Sequence, residues 1–203
     1  MRKLFLSLAT FALIFTAGAS RTFAQAALPA DKTESYGFRQ EAVNELKAAQ
    51  REAVSLAQAM PQEKYTWRPA EGVRSVSEVY LHMAAANFGL TAVAGAPPSP
   101  GFKFQGFEKS TTDKAKIVEL LNQSFEYAES SIANMSDADL VKPKKFQEYN
   151  TVGDILFHVV AHAHEHLGQS IAYARVNGVV PPWTAAAQQQ RQSQQAPPRP
   201  PQN

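Results

Sequence analysis

The chain contains no cysteine. That absence excludes disulfides, thiolate nucleophiles and thiolate metal ligands together. Stability must come from packing, and any metal must be held by histidine nitrogen or by oxygen. No glycine-rich phosphate loop, no G-x-S-x-G turn and no Ser-His-Asp pattern that can be placed occurs either. There is no internal repeat. No alternating run is long enough to build a sheet, and "FKFQGF", residues 102–107, is at most a short extended piece.

A dominant charge is lacking as well. The sequence has 20 basic and 18 acidic residues. Residues 1–26 carry Arg2, Lys3 and Arg21 and nothing acidic, so the remainder of the chain is close to balanced, net −1. A near-neutral chain has no strong electrostatic case for nucleic acid, so no nucleic-acid partner is expected.

Residues 1–26 read as a signal peptide. Arg2 and Lys3 precede the apolar run "LFLSLATFALIFTAGA", residues 4–19, and "FAQAA", residues 23–27, offers cleavage after Ala26 or Ala24. The run is short of the roughly 20 residues a spanning helix needs. The expectation is a periplasmic or secreted protein with no stable membrane anchor after cleavage, and without cysteine it has no site for a lipid-modified N-terminus. At the other end, residues 184–203 are rich in Gln and Pro and hold no apolar residue larger than Ala or Pro. Such a segment buries too little apolar surface to offset its ordering entropy, which predicts a disordered tail. The folded domain is therefore expected over residues 30–183.

Four helices are predicted within it. The first runs from about Glu34 to Met60, with Phe38, Val43, Leu46, Val54 and Leu56 as apolar positions and Pro61 as its stop. The second starts at Ser75, whose spacing to Glu78 is that of a capping box. It carries Val76, Val79, Met83, Ala86 and Leu90 and ends at "GAPPSP", residues 95–100. The third begins near "STTD", residues 110–113, presents Ile117, Leu120, Leu121, Phe125 and Ala128, and fades near Met135. The fourth is capped by Thr151, with Asp154 in its first turn, and ends at Gly178 ahead of Pro181 and Pro182. The fold class is all-α, a four-helix bundle.

The fourth helix holds the most unusual stretch, "HVVAHAHEHLGQ", residues 158–169, with four of the five histidines. At about 100° per residue from Leu156, His162 and His166 fall at about −120° and about −80°, on the flank of the core stripe. His158 falls at about −160°, toward solvent, and Glu165 faces solvent too. His164 falls at about +80° and cannot share a site with His162. His162 and His166, four apart, meet on one helix face. The fifth histidine, His82, flanks the stripe of the second helix. Three neutral imidazoles and an open position suit zinc, nickel or a similar divalent ion. By spacing alone the same three also fit ordinary half-buried histidines, each hydrogen-bonded to a neighbour.

Two segments carry a family resemblance. "YTWRPAEGVRSVSEVYLHMAAANFG", residues 65–89, and "TVGDILFHVVAHAHEHLGQSIAYARVNGVVPP", residues 151–182, resemble the DinB-like superfamily, through its W-x-P-x-x-G-x-R-S approach to a histidine-bearing helix and its H-x-x-x-H-x-G-Q helix. The resemblance implies a DinB-like four-helix bundle that binds a divalent metal through His82, His162 and His166. His158 often has a counterpart in the family but is not one of the three. The family often reads H-H-R-G-Q where this chain has Glu165-His166-Leu167-Gly168-Gln169, so an arginine is lost here. The functional expectation is an exported metal-binding protein acting as a hydrolase or transferase on a small molecule. The alternatives are a non-catalytic module for metal or a small ligand, and a structural bundle with vestigial histidines. No catalytic residue is assigned. The resemblance leaves a homodimer open. Of the connecting segments, Trp67 is expected to anchor its loop, Phe102, Phe104 and Phe107 to cover the core, and Gln169 to reach a water on the metal.

Overall fold

The structure, a computed structural model, describes residues 37–195. The expected signal peptide, residues 34–36 of the first predicted helix and residues 196–203 lie outside the described part. Four long helices dominate: α1 (Phe38–Ala59), α2 (Val76–Val93), α3 (Lys114–Ala133) and α5 (Val152–Val176). A single turn, α4 (Asp137–Leu140), and a hairpin of β1 (Pro143–Phe146) and β2 (Tyr149–Thr151) lie between α3 and α5, and α6 (Pro182–Gln195) follows. Both α1 and α2 pack on α3 and α5, so the order around the bundle is α1, α3, α2, α5. The all-α expectation holds.

The core forms where the apolar stripes meet. α1 contributes Leu46, Ala49, Ala53 and Leu56, α3 contributes Ile117, Leu121, Phe125 and Ile132, and α5 contributes Ile155, Leu156 and Ala163, all fully buried. These recur at helical spacing because each helix wets its opposite face. α2 is different: its residues 79–81 and 83–88 are all buried. A helix apolar all round needs cover on every side. Here α3, α5 and the α2–α3 connection supply it, the last through a 3-10 turn at Phe107–Lys109.

Caps set the helix starts. The Ser75 hydroxyl accepts from the Glu78 amide at 3.3 Å, and the Glu78 carboxylate accepts from the Ser75 amide at 2.8 Å. Thr151 and Asp154 repeat the arrangement on α5. Asp113 caps α3. Gly178, at φ +77°, takes the left-handed position just beyond α5 that a side chain resists. Ser75→Ala is expected to lower stability by about 1 kcal/mol, read as a lower urea midpoint at unchanged slope.

Three elements depart from the sequence reading. The hairpin was not expected, because β1 and β2 have four and three residues and β1 reads "PKKF", with no apolar alternation. The segment 102–107 forms no strand; it bends into the 3-10 turn. The tail assigned to residues 184–203 is helical as far as Gln195, so the boundary placed at 183 falls inside α6. Ala, Gln and Arg are good helix formers, Pro182 sits at the first helical position and Trp183 packs against the core. Low side-chain burial alone implied disorder, and these local preferences override it. Among the described residues no helix is long and apolar enough to cross a membrane.

Candidate metal centre

His82 stands in the second turn of α2, and His162 and His166 stand one turn apart on α5. Because α2 packs on α5, the three rings meet in one cluster. Ring centroids are 4.8 Å apart for His82–His162, 4.6 Å for His82–His166 and 4.3 Å for His162–His166. One ligand nitrogen from each lies within 4.8 Å of the others. The Nε2 atoms of His82 and His162 are 3.0 Å apart. Two nitrogens bound to one tetrahedral zinc ion at about 2.0–2.1 Å would be about 3.3 Å apart, so little rearrangement separates this pair from a chelating one.

Protonation favours ligation. Burial, and then the neighbouring His166 and His82, push the His162 imidazole down to about 3. Burial also lowers His166, outweighing the hydrogen bond to Gln169 that pulls the other way. Both rings are therefore neutral near pH 7, the form that binds metal.

The nitrogens that face away from the cluster have partners of different kinds. The Glu108 carboxylate meets His82 Nδ1 at 2.6 Å and Arg74 Nε at 2.8 Å. Burial raises the Glu108 carboxyl, but the bonds to Arg74 and His82 outweigh it and hold the group below the usual carboxylate range. An ionised carboxylate only accepts, so the neutral His82 ring, the form that binds metal, carries its proton on Nδ1 and turns a bare Nε2 to the cluster. The 3.0 Å contact is then donated by His162 Nε2–H in the ion-free protein. His162 Nδ1 is left bare, buried and without a partner, consistent with the orphan atom seen there. Gln169 Oε1 meets His166 Nδ1 at 2.8 Å. Gln169 thus holds the outer nitrogen of His166. Three imidazoles, two with their outer nitrogens held, fit a divalent cation.

The structure brings together the three histidines that the helix angles selected, keeps His158 beside His162 at 5.7 Å between ring centroids but outside the three-nitrogen group, and sets His164 apart. His164 is on the far side of α5, 3.1 Å from Glu45 of α1. Glu165 is exposed. His158 is half-buried where exposure was expected, because Tyr149 of the unforeseen hairpin stacks on it at 4.9 Å and 24°. Leu167, in place of the family's arginine, is buried in the core. Trp67 is anchored edge-on against Tyr173 at 5.3 Å. Phe102 and Phe107 pack on Phe88 at 5.0 and 6.2 Å, as covers do, whereas Phe104 is 65% exposed.

Glu108 was missed. It lies 26 residues beyond His82, outside any helical period. The available signal was an acidic residue directly after an aromatic-rich segment, "FKFQGFE", residues 102–108.

A family model described as the DinB superfamily matches residues 45–170. Among solved structures, a DinB-like protein from Bacillus cereus ATCC 10987 is similar, with a TM-score of 0.59 and 18% sequence identity over 71% of this chain and 93% of that one. At that identity the likeness is one of fold. No curated protein matches.

Proposed function

This chain belongs to the DinB superfamily, and from that premise we propose that it is an exported protein that binds one divalent ion, zinc or nickel, through His82, His162 and His166. The observation that carries the reading is the convergence of three imidazoles from two packed helices, two of them held neutral by burial. A divalent ion held by these three residues would supply Lewis acidity toward a small molecule. The chain's own residues do the rest. Glu108 and Gln169 orient two of the ligands, and the buried face of α5 keeps His162 and His166 neutral. On this reading the protein is a hydrolase or transferase of a small molecule in the periplasm or outside the cell.

One observation favours the second reading, a non-catalytic module for metal or a small ligand. The carboxylate beside the cluster, Glu108, is already engaged by both Arg74 and His82 and is not free to act as a base.

The test is the metal content of protein purified without chelator or affinity tag. About one divalent ion per chain is expected. Ion-stripped protein given zinc or nickel at a hundred times the dissociation constant is expected to gain about 2.7 kcal/mol of stability. No metal, together with no thermal stabilisation by zinc, nickel or manganese, sinks the metalloenzyme reading and the metal form of the second, leaving only a small-ligand module.

A further inference from the structure

The hydrogen bonds around His166 have a direction that can be derived from one end. The Arg74 backbone carbonyl can only accept. The Tyr173 hydroxyl lies 3.1 Å from it and therefore donates. With its proton committed, the hydroxyl oxygen must accept from Gln169, whose amide nitrogen is 3.0 Å away. That fixes the amide, so Gln169 Oε1 is the atom 2.8 Å from His166 Nδ1. A carbonyl oxygen accepts, so Nδ1 carries the proton and Nε2 is bare.

We infer that Tyr173 and Gln169 are positioning residues, a one-way hydrogen-bond relay from the Arg74 carbonyl that keeps the His166 proton on Nδ1 and its Nε2 open to an ion. Its use in ion capture rests on the metal-binding reading above; the proton placement does not.

The relay is built to be rigid. Gln169 and Tyr173 follow His166 by three and seven residues, on the same face of α5. The Tyr173 ring is buried, with Trp67 edge-on against it. The carbonyl at the start belongs to the residue before the α2 cap. Its neighbours are pinned by bonds from Val76 N to Trp67 O at 3.0 Å and from Ser77 N to Tyr65 O at 2.9 Å. Reversing the amide would set Gln169 Oε1 against the Tyr173 oxygen, acceptor against acceptor, or turn the hydroxyl proton away from the Arg74 carbonyl and leave that acceptor without its donor, and either is costly. Arg74 thus stands at the foot of two arms. Its guanidinium holds Glu108 against His82, and its carbonyl holds the relay to His166. The second arm is readable only from the fold, since Arg74 and Tyr173 are 99 residues apart.

The test is 15N-resolved NMR of the histidine rings in ion-free protein, about 1.5 pH units above the ordinary imidazole pKa. Wild-type His166 is expected with its proton on Nδ1 alone. Tyr173→Phe keeps the ring against Trp67 but frees the Gln169 amide to turn. His166 is then expected to show a substantial Nε2–H form, while His82, held by Glu108, stays unchanged. Zinc affinity of the same variant is expected to fall about 10- to 100-fold, the range for loss of a ligand's outer partner. Gln169→Leu, which removes the acceptor itself, is expected to release His166 in the same way and answers the question if Tyr173→Phe does not fold. His166 remaining wholly Nδ1–H in a folded variant overturns the relay, and so does an Nε2–H proton in the wild type. A wild-type protein that binds no ion sinks the metal reading and leaves the tautomer result standing.

Discussion

His162→Ala is expected to abolish stoichiometric binding of a divalent ion, with a loss beyond the roughly 10- to 100-fold that follows removal of an outer partner. His162 is one of the three imidazoles proposed as ligands, and the 3.0 Å approach of its Nε2 to that of His82 places it at the heart of the cluster. The substitution is not expected to unfold the chain. In the ion-free protein His162 holds a buried nitrogen with no partner, so truncation removes a polar liability together with some packing. The acid limb of the stability curve provides a second readout. His162 is pushed down to about 3 in the folded state from an ordinary value of 6.5. Its folded pKa lies below the unfolded one, so its share of stability is complete above pH 6.5 and is lost as pH falls toward 3. The loss approaches about 1.4 kcal/mol per pH unit within that window. With chelator present, His162→Ala is expected to flatten this limb in urea titrations. Identical acid limbs in the two proteins would show that His162 is not held neutral by burial.

Phe125→Ala is expected to destabilise the protein by about 3–5 kcal/mol, against the roughly 5–15 kcal/mol that a native domain holds in total. The ring is fully buried on α3, in a stripe with Ile117, Leu121, Ala128 and Ile132 that faces the bundle interior. Its deletion loses the transfer free energy of the ring and leaves a cavity between well-packed helices that can close only in part. α3 carries none of the three clustered histidines. Ion affinity measured below the melting transition is therefore expected to stay near wild type, while the urea midpoint falls sharply. Phe125→Ala and His162→Ala thus separate fold from site. A stability change under about 1 kcal/mol for Phe125→Ala would mean that the core relaxes far more freely than its burial implies.

The parts of the molecule legible in the sequence are those governed by local rules. Ser75 with Glu78 and Thr151 with Asp154 announce two helix starts because a cap is satisfied within three residues. His162 and His166 could be placed by angle because a helix turns about 100° per residue. His82 was reachable because its own helix has a clear start and the segment leading into it resembles the family's. Glu108 was not legible, since nothing local says that a turn after Phe107 folds back onto a histidine of the preceding helix. His158 was set too far into solvent because the hairpin that covers it has strands too short to show a period. The relay to His166 was invisible for the same reason as Glu108, since it joins a loop to a helix far along the chain. α6 is not legible from burial alone, because its residues favour helix by themselves while burying little.

The carboxylate on His82 comes from a connection, and its position depends on how many residues that connection contains. Gly101 and Gly106 both take left-handed turns, at φ +76° and +79°, before the chain delivers Glu108. Removing one residue between them shortens the path by up to about 3.5 Å, enough to withdraw the carboxylate while all four long helices and all three histidines stay in place. Loops accept insertions and deletions more readily than helices do. Affinity for the proposed ion would then be a trait that lineage or engineer can tune by loop length, with none of the three histidines ever mutated, and a comparison of chains by their histidines alone would not register the change.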